Sequence, residues 1–245
     1  MSDRDDWHAL RNFTPARLAL GRSGNGLPTR RVLEFELAHA QARDAVLRSF
    51  RPNAVAAALN SPGTLMLTTQ APDRATYLMN PDAGRTLSDQ SRATLTHGDH
   101  DAALIIADGL SSTAIDAHGA PLARLILNAL PDLQLARVTI VTGGRVAIGD
   151  DIAHTLGAKL AIVLIGERPG LSAADSIGIY LTHTPRPGAT KDAERNCISN
   201  VRPGGLALED AALRLAWLAR EAFRIGLTGT ALKEDAPSPH ELAEG

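Results

Sequence analysis

Aromatic residues and cysteine are both scarce in this chain of 245 residues. Phe, Trp and Tyr together make up 3% of the sequence, which argues against the base-stacking surfaces of proteins that bind single-stranded nucleic acids. The single cysteine, Cys197, excludes an intramolecular disulfide and is typical of a reducing compartment. The core must therefore be built from Ala, Leu, Ile and Val, which favour helices packed on a parallel sheet.

A strong charge of either sign and long apolar runs are also missing. The 25 basic and 27 acidic residues give a net charge of −2, so there is no electrostatic reason to expect nucleic-acid or membrane binding. The longest apolar runs, among them residues 160–165, are far too short to cross a bilayer. The charged N-terminus lacks the apolar segment of a secretory signal. We therefore expect a cytoplasmic protein.

Apolar segments of strand length alternate with helical segments over residues 61–230. Strands are predicted at 63–69, 102–108, 136–142, 160–166 and 177–181. Helices are predicted at 81–95, 111–130, 148–156 and 206–224. This alternation predicts an α/β fold with a doubly wound parallel sheet.

The two ends of the chain differ from this pattern. Residues 1–60 are predicted to form an N-terminal extension with one helix over 30–50 behind a Thr29 cap, because apolar residues recur there at helical spacing. Residues 231–245 are charged and contain proline, and we expect a flexible tail. The sheet domain is accordingly assigned to residues 61–230.

Three predicted strands run into loops rich in glycine and polar residues, at 108–112, 143–146 and 166–170. Ligands of open α/β sheets bind beyond the carboxyl ends of the strands, so these loops are expected to form one ligand surface. They contain neither the GxGxxG nor the GxxxxGK[ST] pattern of nucleotide sites. Ordinary turn chemistry is the alternative interpretation.

Two residues near predicted strands are candidates for ligand contact. Glu167, in GERPGL, is placed to accept hydrogen bonds from ligand amides or hydroxyls, or else to pair with Arg168 and solvate the loop. Cys197 lies in RNCISNVRPGG, which is predicted to be a polar loop. A nucleophilic cysteine needs an adjacent histidine, and sequence does not place His183 beside it. Packing or ligand contact is therefore favoured for Cys197.

Two histidine-containing segments are considered as metal sites and set aside. Residues 97–101 (HGDHD) lack a second cluster with ligand spacing, so a solvated loop is favoured. Residues 116–119 (DAHG) begin like the DxHxxG motif whose histidine ligates cobalt in one class of cobalamin proteins. Pro121 replaces the final glycine of that motif, and the segment lies in a predicted helix. His118 is therefore interpreted as a residue on the helix surface.

Several segments together resemble the small subunits of ethanolamine ammonia-lyases. In chain order they are FTPARLALGR with LPTR, LAHAQARDAV, DRATYLMNPDAGRTL, LIIADGLSSTAI, GERPGL and RNCISNVRPGG. The resemblance runs from about Phe13 to Phe223. Each motif alone is weakly specific, and their ordered combination carries the resemblance.

The resemblance implies an adenosylcobalamin-dependent ammonia-lyase, a carbon–nitrogen lyase that converts ethanolamine to acetaldehyde and ammonia by radical chemistry. It implies a Rossmann-like small subunit, inactive alone, in a hetero-oligomer with a large TIM-barrel subunit. Cobalamin would lie between the two subunits and contact Val146, Glu167 and Cys197 of this chain. The resemblance implies no catalytic acid, base or radical carrier here and no metal ligand. A location within a bacterial microcompartment is left open, because the region before residue 13 is short.

Two other functions are weighed against this one. An independent dinucleotide-dependent enzyme would reduce a nicotinamide as an isolated chain, but the GxGxxG pattern is missing. A non-enzymatic sensor or scaffold would bind a ligand alone and would gain no lyase activity from a large subunit.

Overall fold

Six strands form one mixed sheet in a computed structural model that describes residues 6–14 and 16–233. The strands are β1 (Leu65–Thr68), β2 (His100–Ala107), β3 (Thr139–Thr142), β4 (Ala158–Gly166), β5 (Ile177–His183) and β6 (Asn196–Val201). Their order in the sheet is β1-β3-β2-β4-β5-β6. The first four strands are parallel to one another, as predicted.

The prediction of a wholly parallel sheet is wrong at β5, which runs antiparallel to both β4 and β6. Only residues 167–176 separate β4 from β5, and a parallel connection needs a crossover of a dozen or more residues. The chain therefore turns back on itself. The fold is confirmed as α/β, with a mixed sheet.

The helices lie between and around these strands. They are α1 (Thr29–Leu47), α2 (Pro52–Leu59), α3 (Arg74–Met79), α4 (Asp89–Ala93), α5 (Ser112–Ala114), α6 (Ala120–Ala129), α7 (Ile148–Leu156) and α8 (Leu208–Ile225). A π-helical turn, Ile115–Gly119, joins α5 to α6. Short 3-10 turns occur at Asp6–Asn12, Pro81–Arg85, Asp192–Glu194 and Gly229–Ala231.

Helices cover both faces of the sheet. On one face, α2, α6 and α8 pack against residues such as Leu104 and Ile106 of β2. On the other face, α7 packs against Ala103 and Ile105 of the same strand. The apolar run of β2 is thus buried on both sides, which is why it reads as a continuous hydrophobic segment.

The predicted helix over 81–95 is interrupted in the structure. Leu87 lies between the Pro81–Arg85 turn and α4, where it is fully buried, and Thr69 forms a β-bridge with it. The Leu87 N–H donates to Oδ2 of Asp151, 2.8 Å away. These long-range contacts hold the chain extended at Leu87 and break the helix.

The N-terminal helix α1 is present but packs loosely. Ala45 is its one buried residue, and five of its large apolar side chains are exposed: Val32, Leu33, Phe35, Leu37 and Leu47. Thr29 is the first helical residue rather than a cap, and Pro28 precedes it without a capping side-chain bond. Residues 234–245 of the predicted tail lie outside the described residues. No helix in the described part of the chain combines the length and apolar character that a membrane span needs.

Candidate functional site

The loops that follow β2, β3 and β4 meet at the carboxyl edge of the sheet, as the sequence predicts. Oδ1 of Asp108 accepts hydrogen bonds from the N–H groups of Gly143 (2.8 Å) and Gly144 (3.1 Å). The Leu110 N–H donates to the Gly166 carbonyl, 2.9 Å away. One carboxylate and one backbone bond therefore hold the three loops together.

Gly109 lets the first of these loops turn against the end of β4. Its φ is +57°, in the left-handed region, and an added Cβ would lie 2.3 Å from the carbonyl oxygen of Gly166. A side chain there would therefore be disfavoured by both the backbone conformation and the contact. The close approach of the two loops depends on this glycine.

A partly open pocket of about 430 Å³ lies between the loops. Its lining residues are Tyr77, Leu110, Arg145, Val146, Ile165, Gly166, Glu167, Arg168 and Tyr180. The structure therefore brings together Val146 and Glu167, which are far apart in sequence. The pocket combines apolar walls with an acidic and two basic side chains.

Glu167 reaches across the start of β5 toward β6. Its Oε2 accepts a hydrogen bond from the Asn200 N–H, 3.1 Å away, and a Cβ on Gly178 would lie 3.2 Å from its Oε1. Its backbone N–H donates to the Ser176 carbonyl at 3.0 Å. Contacts with the sheet thus orient the carboxylate. A Glu167 side chain that only solvated its loop would not make them.

Cys197 borders the pocket through its cross-strand neighbour Tyr180. The prediction that Cys197 lies in a loop is wrong: it belongs to β6, where Ile198 and Val201 are buried and the Cys197 side chain is exposed. Tyr180 pairs with Cys197 in the register of β5 and β6. Long-range pairing with β5, which a local polar segment does not encode, makes this segment a strand.

The surroundings of Cys197 disfavour a thiolate. Protein atoms crowd its sulfur although the side chain is exposed, and this desolvation raises the pKa of the thiol. A hydrogen bond from Tyr180 opposes that shift, and the charge of Glu167 adds to it. His183 lies opposite Leu160 in the sheet and contacts Phe223 edge-to-face. Cys197 therefore lacks the features of an activated nucleophile.

Tyr77, Tyr180 and Arg74 were not among the predicted site residues, whereas Arg145 belongs to the predicted loop 143–146. The guanidinium carbons of Arg145 and Arg74 lie 4.1 Å and 4.7 Å from the Tyr77 ring centroid, within cation–π range. Burial raises the pKa of Tyr77 to about 12. The chain has two tyrosines and both line the pocket, a grouping that is visible only in the structure.

Asp108 is a buried carboxylate at the centre of the loops, with 3% of the residue exposed. Desolvation raises its pKa to about 6, although Arg74 and the N–H groups of Gly143, Gly144 and Gly109 act in the opposite direction. The loops therefore converge on a carboxylate whose ionisation is disfavoured by burial and is partly offset by Arg74 and the backbone N–H groups.

The two histidine segments considered for metals make other contacts. Lys159 Nζ lies 3.6 Å from Asp99 and 3.4 Å from Asp101, next to His100. His118 lies in the π-helical turn, with Nε2 3.4 Å from Oδ2 of Asp175. Within residues 6–14 and 16–233, no three His, Cys, Asp or Glu side chains are grouped as metal ligands.

Comparison with known proteins gives similarity along nearly the whole chain. A family model described as ethanolamine ammonia-lyase light chain (EutC) matches residues 4–233. A protein of Xanthomonas campestris pv. campestris, named ethanolamine ammonia-lyase small subunit, is 50% identical over 246 residues, which cover 96% of this chain and 90% of that protein. Proteins with the same name from Azotobacter vinelandii and Pseudomonas fluorescens are 48% and 50% identical; the matches cover 96% and 95% of this chain and 93% and 88% of theirs.

Proposed function

This chain belongs to the ethanolamine ammonia-lyase light chain family, and we propose that it binds adenosylcobalamin as the small subunit of that lyase. The observation that carries the proposal is that Val146 and Glu167 line one pocket, which Cys197 borders through Tyr180. These are the three residues that the family resemblance implies as cobalamin contacts. The cobalamin would lie between this chain and a large TIM-barrel subunit in a hetero-oligomer.

The chemistry of the pocket suits the rim of a corrin. That rim carries amide groups. Their N–H groups can donate hydrogen bonds to a carboxylate, and their oxygens can accept hydrogen bonds from a guanidinium. The pocket offers Glu167 for the first task and Arg145 and Arg168 for the second. Leu110, Val146 and Ile165 supply apolar contact between these polar groups. A pocket of about 430 Å³ accommodates one edge of a cobalamin, which is in keeping with a cofactor shared between two subunits.

The residues of this chain would hold and orient the cofactor. Adenosylcobalamin, when bound, would supply the radical chemistry by which ethanolamine becomes acetaldehyde and ammonia, a carbon–nitrogen lyase reaction. Glu167, oriented by Asn200, would accept a hydrogen bond from a corrin amide, and Val146 would contact the apolar edge. Tyr180 would form the wall along β5, with Cys197 as its neighbour on β6. The substrate site would belong to the large subunit, so this chain alone would be inactive.

Co-expression with the cognate large subunit tests the proposal. Acetaldehyde formation from ethanolamine is measured for each subunit alone and for the co-purified complex, with and without adenosylcobalamin. Activity is expected only when both subunits and the cofactor are present. A well-assembled, cobalamin-loaded complex without lyase activity would overturn the proposal, as would full activity of the large subunit alone.

A further inference from the structure

Arg74 makes an unusual set of contacts behind the pocket. Its Nε donates to the Val46 carbonyl at the end of α1 (2.7 Å), Nη1 to the Gly109 carbonyl (2.8 Å), and Nη2 to the Leu110 carbonyl (3.2 Å). Nη1 also lies 3.5 Å from Oδ2 of Asp108. One guanidinium thus joins the N-terminal helix to the turn that follows β2.

The turn that follows β2 also holds the other two loops of the pocket in place. Asp108 accepts hydrogen bonds from the N–H groups of Gly143 and Gly144. These two glycines directly precede the segment that carries Val146. Leu110 donates its N–H to the carbonyl of Gly166, the residue before Glu167. The contacts therefore run without a gap from Arg74 to both loops.

The position of Arg74 is that of a supporting residue. Its side chain is 20% exposed, and it lines a smaller cavity of about 200 Å³ that shares Tyr77 with the pocket. Its guanidinium lies against the Tyr77 ring, and Tyr77 forms part of the pocket wall. Arg74 thus reaches the pocket through Tyr77 as well as through the turn.

We propose that Arg74 is a positioning residue for cobalamin, which holds the loops of Val146 and Glu167 in their binding arrangement without touching the cofactor. The inference rests on the proposed function. The planar fork of arginine serves three carbonyls in different directions, whereas lysine offers one point charge on a flexible stem. The role therefore requires the shape of the guanidinium as well as its charge.

The test uses the complex co-expressed with the large subunit. Four forms are compared: wild type, Arg74→Met, Arg74→Lys and the control Arg220→Met. Arg220 suits the comparison because it also binds a helix-end carbonyl (Ala129, 2.9 Å) and an aspartate (Asp132), away from the pocket. Hydroxocobalamin is titrated into each complex, and the Kd is read from the change in its visible spectrum, independently of activity.

Arg74→Met is expected to raise the Kd about tenfold, because the displaced loops would lose one or two of their own hydrogen bonds to the cofactor. Arg74→Lys should fall between Arg74→Met and wild type, and Arg220→Met should stay within about twofold of wild type, since surface substitutions have small effects. A Kd for Arg74→Met within twofold of wild type would overturn the inference. Failure of both Arg74 variants to assemble, while Arg220→Met assembles, would also overturn it, because Arg74 would then serve folding.

Coupling to Glu167 separates positioning from a general structural role. If Arg74 acts partly by placing Glu167, Arg74→Met should raise the Kd only about threefold in a Glu167→Ala background, because residues in one network are not additive. Fold-changes that simply multiply would contradict the inference. A wild-type complex that binds no hydroxocobalamin would instead refute the proposed function itself.

Discussion

At the scale of residues, two carboxylates at the carboxyl edge of the sheet have different environments. Asp108 is buried and bonded to two backbone N–H groups, so its partners lie within the protein. Glu167 is half-buried and lines the pocket, with the Asn200 N–H as partner of one oxygen. Asp108 is therefore suited to hold the loops, and Glu167 to meet a ligand.

Glu167→Ala is expected to weaken cobalamin binding several-fold while the complex still assembles. The loss of one hydrogen bond to a neutral amide costs roughly 0.5–1.5 kcal/mol. The Kd for hydroxocobalamin in the co-expressed complex measures the effect, and Glu209→Ala, an exposed position on α8, serves as the control. Unchanged affinity in an assembled Glu167→Ala complex would remove Glu167 from the site.

Asp108→Asn should change how stability depends on pH. The pKa of Asp108 is raised to about 6 from the usual 3.8, so between these values the folded state binds more protons than the unfolded state. Protonation of Asp108 therefore adds about 3 kcal/mol to the free energy of unfolding. This stabilisation is fully present below pH 3.8 and is lost as the pH rises through 6. Asparagine removes the titration, so the stability of Asp108→Asn relative to wild type should rise with pH.

Urea unfolding of both purified proteins at several pH values between about 4 and 7 measures this difference, and groups common to both cancel. A constant offset between the two proteins is expected from the altered contact with Arg74. A difference that does not vary with pH would show that Asp108 has an ordinary pKa.

At the scale of elements, strands and helices differ in how far local pattern determined them. The boundaries of α7 follow the predicted helix, because its apolar residues recur at helical spacing and Gly157 ends it in the left-handed conformation. The helix predicted over 81–95 is interrupted because Leu87 is held by Thr69 and Asp151. In this chain, hydrophobic periodicity predicts a helix correctly where the periodic apolar residues of one segment are also the buried ones.

Leucines on β2 and α1 should respond very differently to truncation. Leu104 is fully buried in β2, so Leu104→Ala is expected to destabilise the chain by roughly 2–5 kcal/mol. Leu37 on α1 is 60% exposed, and Leu37→Ala should change stability by no more than about 0.5 kcal/mol. Urea unfolding followed by circular dichroism compares the two. Similar losses would mean that α1 is packed against the core in solution.

At the scale of the whole molecule, one sheet carries both hydrophobic layers. Neighbouring residues of β2 alternate between them, with Leu104 facing α6 and α8 and Ile105 facing α7. A loss of packing on one face therefore weakens strands that the other face also needs. The two layers should unfold together.

Ile152→Ala tests this cooperativity from the α7 side. Ile152 is fully buried against the sheet, while Trp217 on α8 packs in the opposite layer and reports on it by fluorescence. In a Trp7→Phe background, the urea midpoints from Trp217 fluorescence and from circular dichroism should coincide and fall together in Ile152→Ala. A fluorescence midpoint that stays unchanged while the dichroism midpoint falls would show that the layers unfold separately.

Local sequence patterns were enough to predict the α/β class, most helix and strand positions, and the three loops that meet at the carboxyl edge. Hydrophobic periodicity and glycine-rich strand ends are local features, so they can be read without coordinates. Glu167 stood out in its own loop, and Val146 was named through the family resemblance; the two residues share the pocket.

Three features follow from the assembled fold and not from local pattern: the direction of β5, the strand that contains Cys197, and the grouping of Arg74, Tyr77 and Arg145. Each of these depends on contacts between segments far apart in the chain. Arg74 acquires its role from Val46 and from the turn at Asp108, and neither contact leaves a periodic mark near Arg74. Pairing direction and hydrogen bonds across the fold are settled when the sheet assembles, because they depend on which distant groups burial brings together.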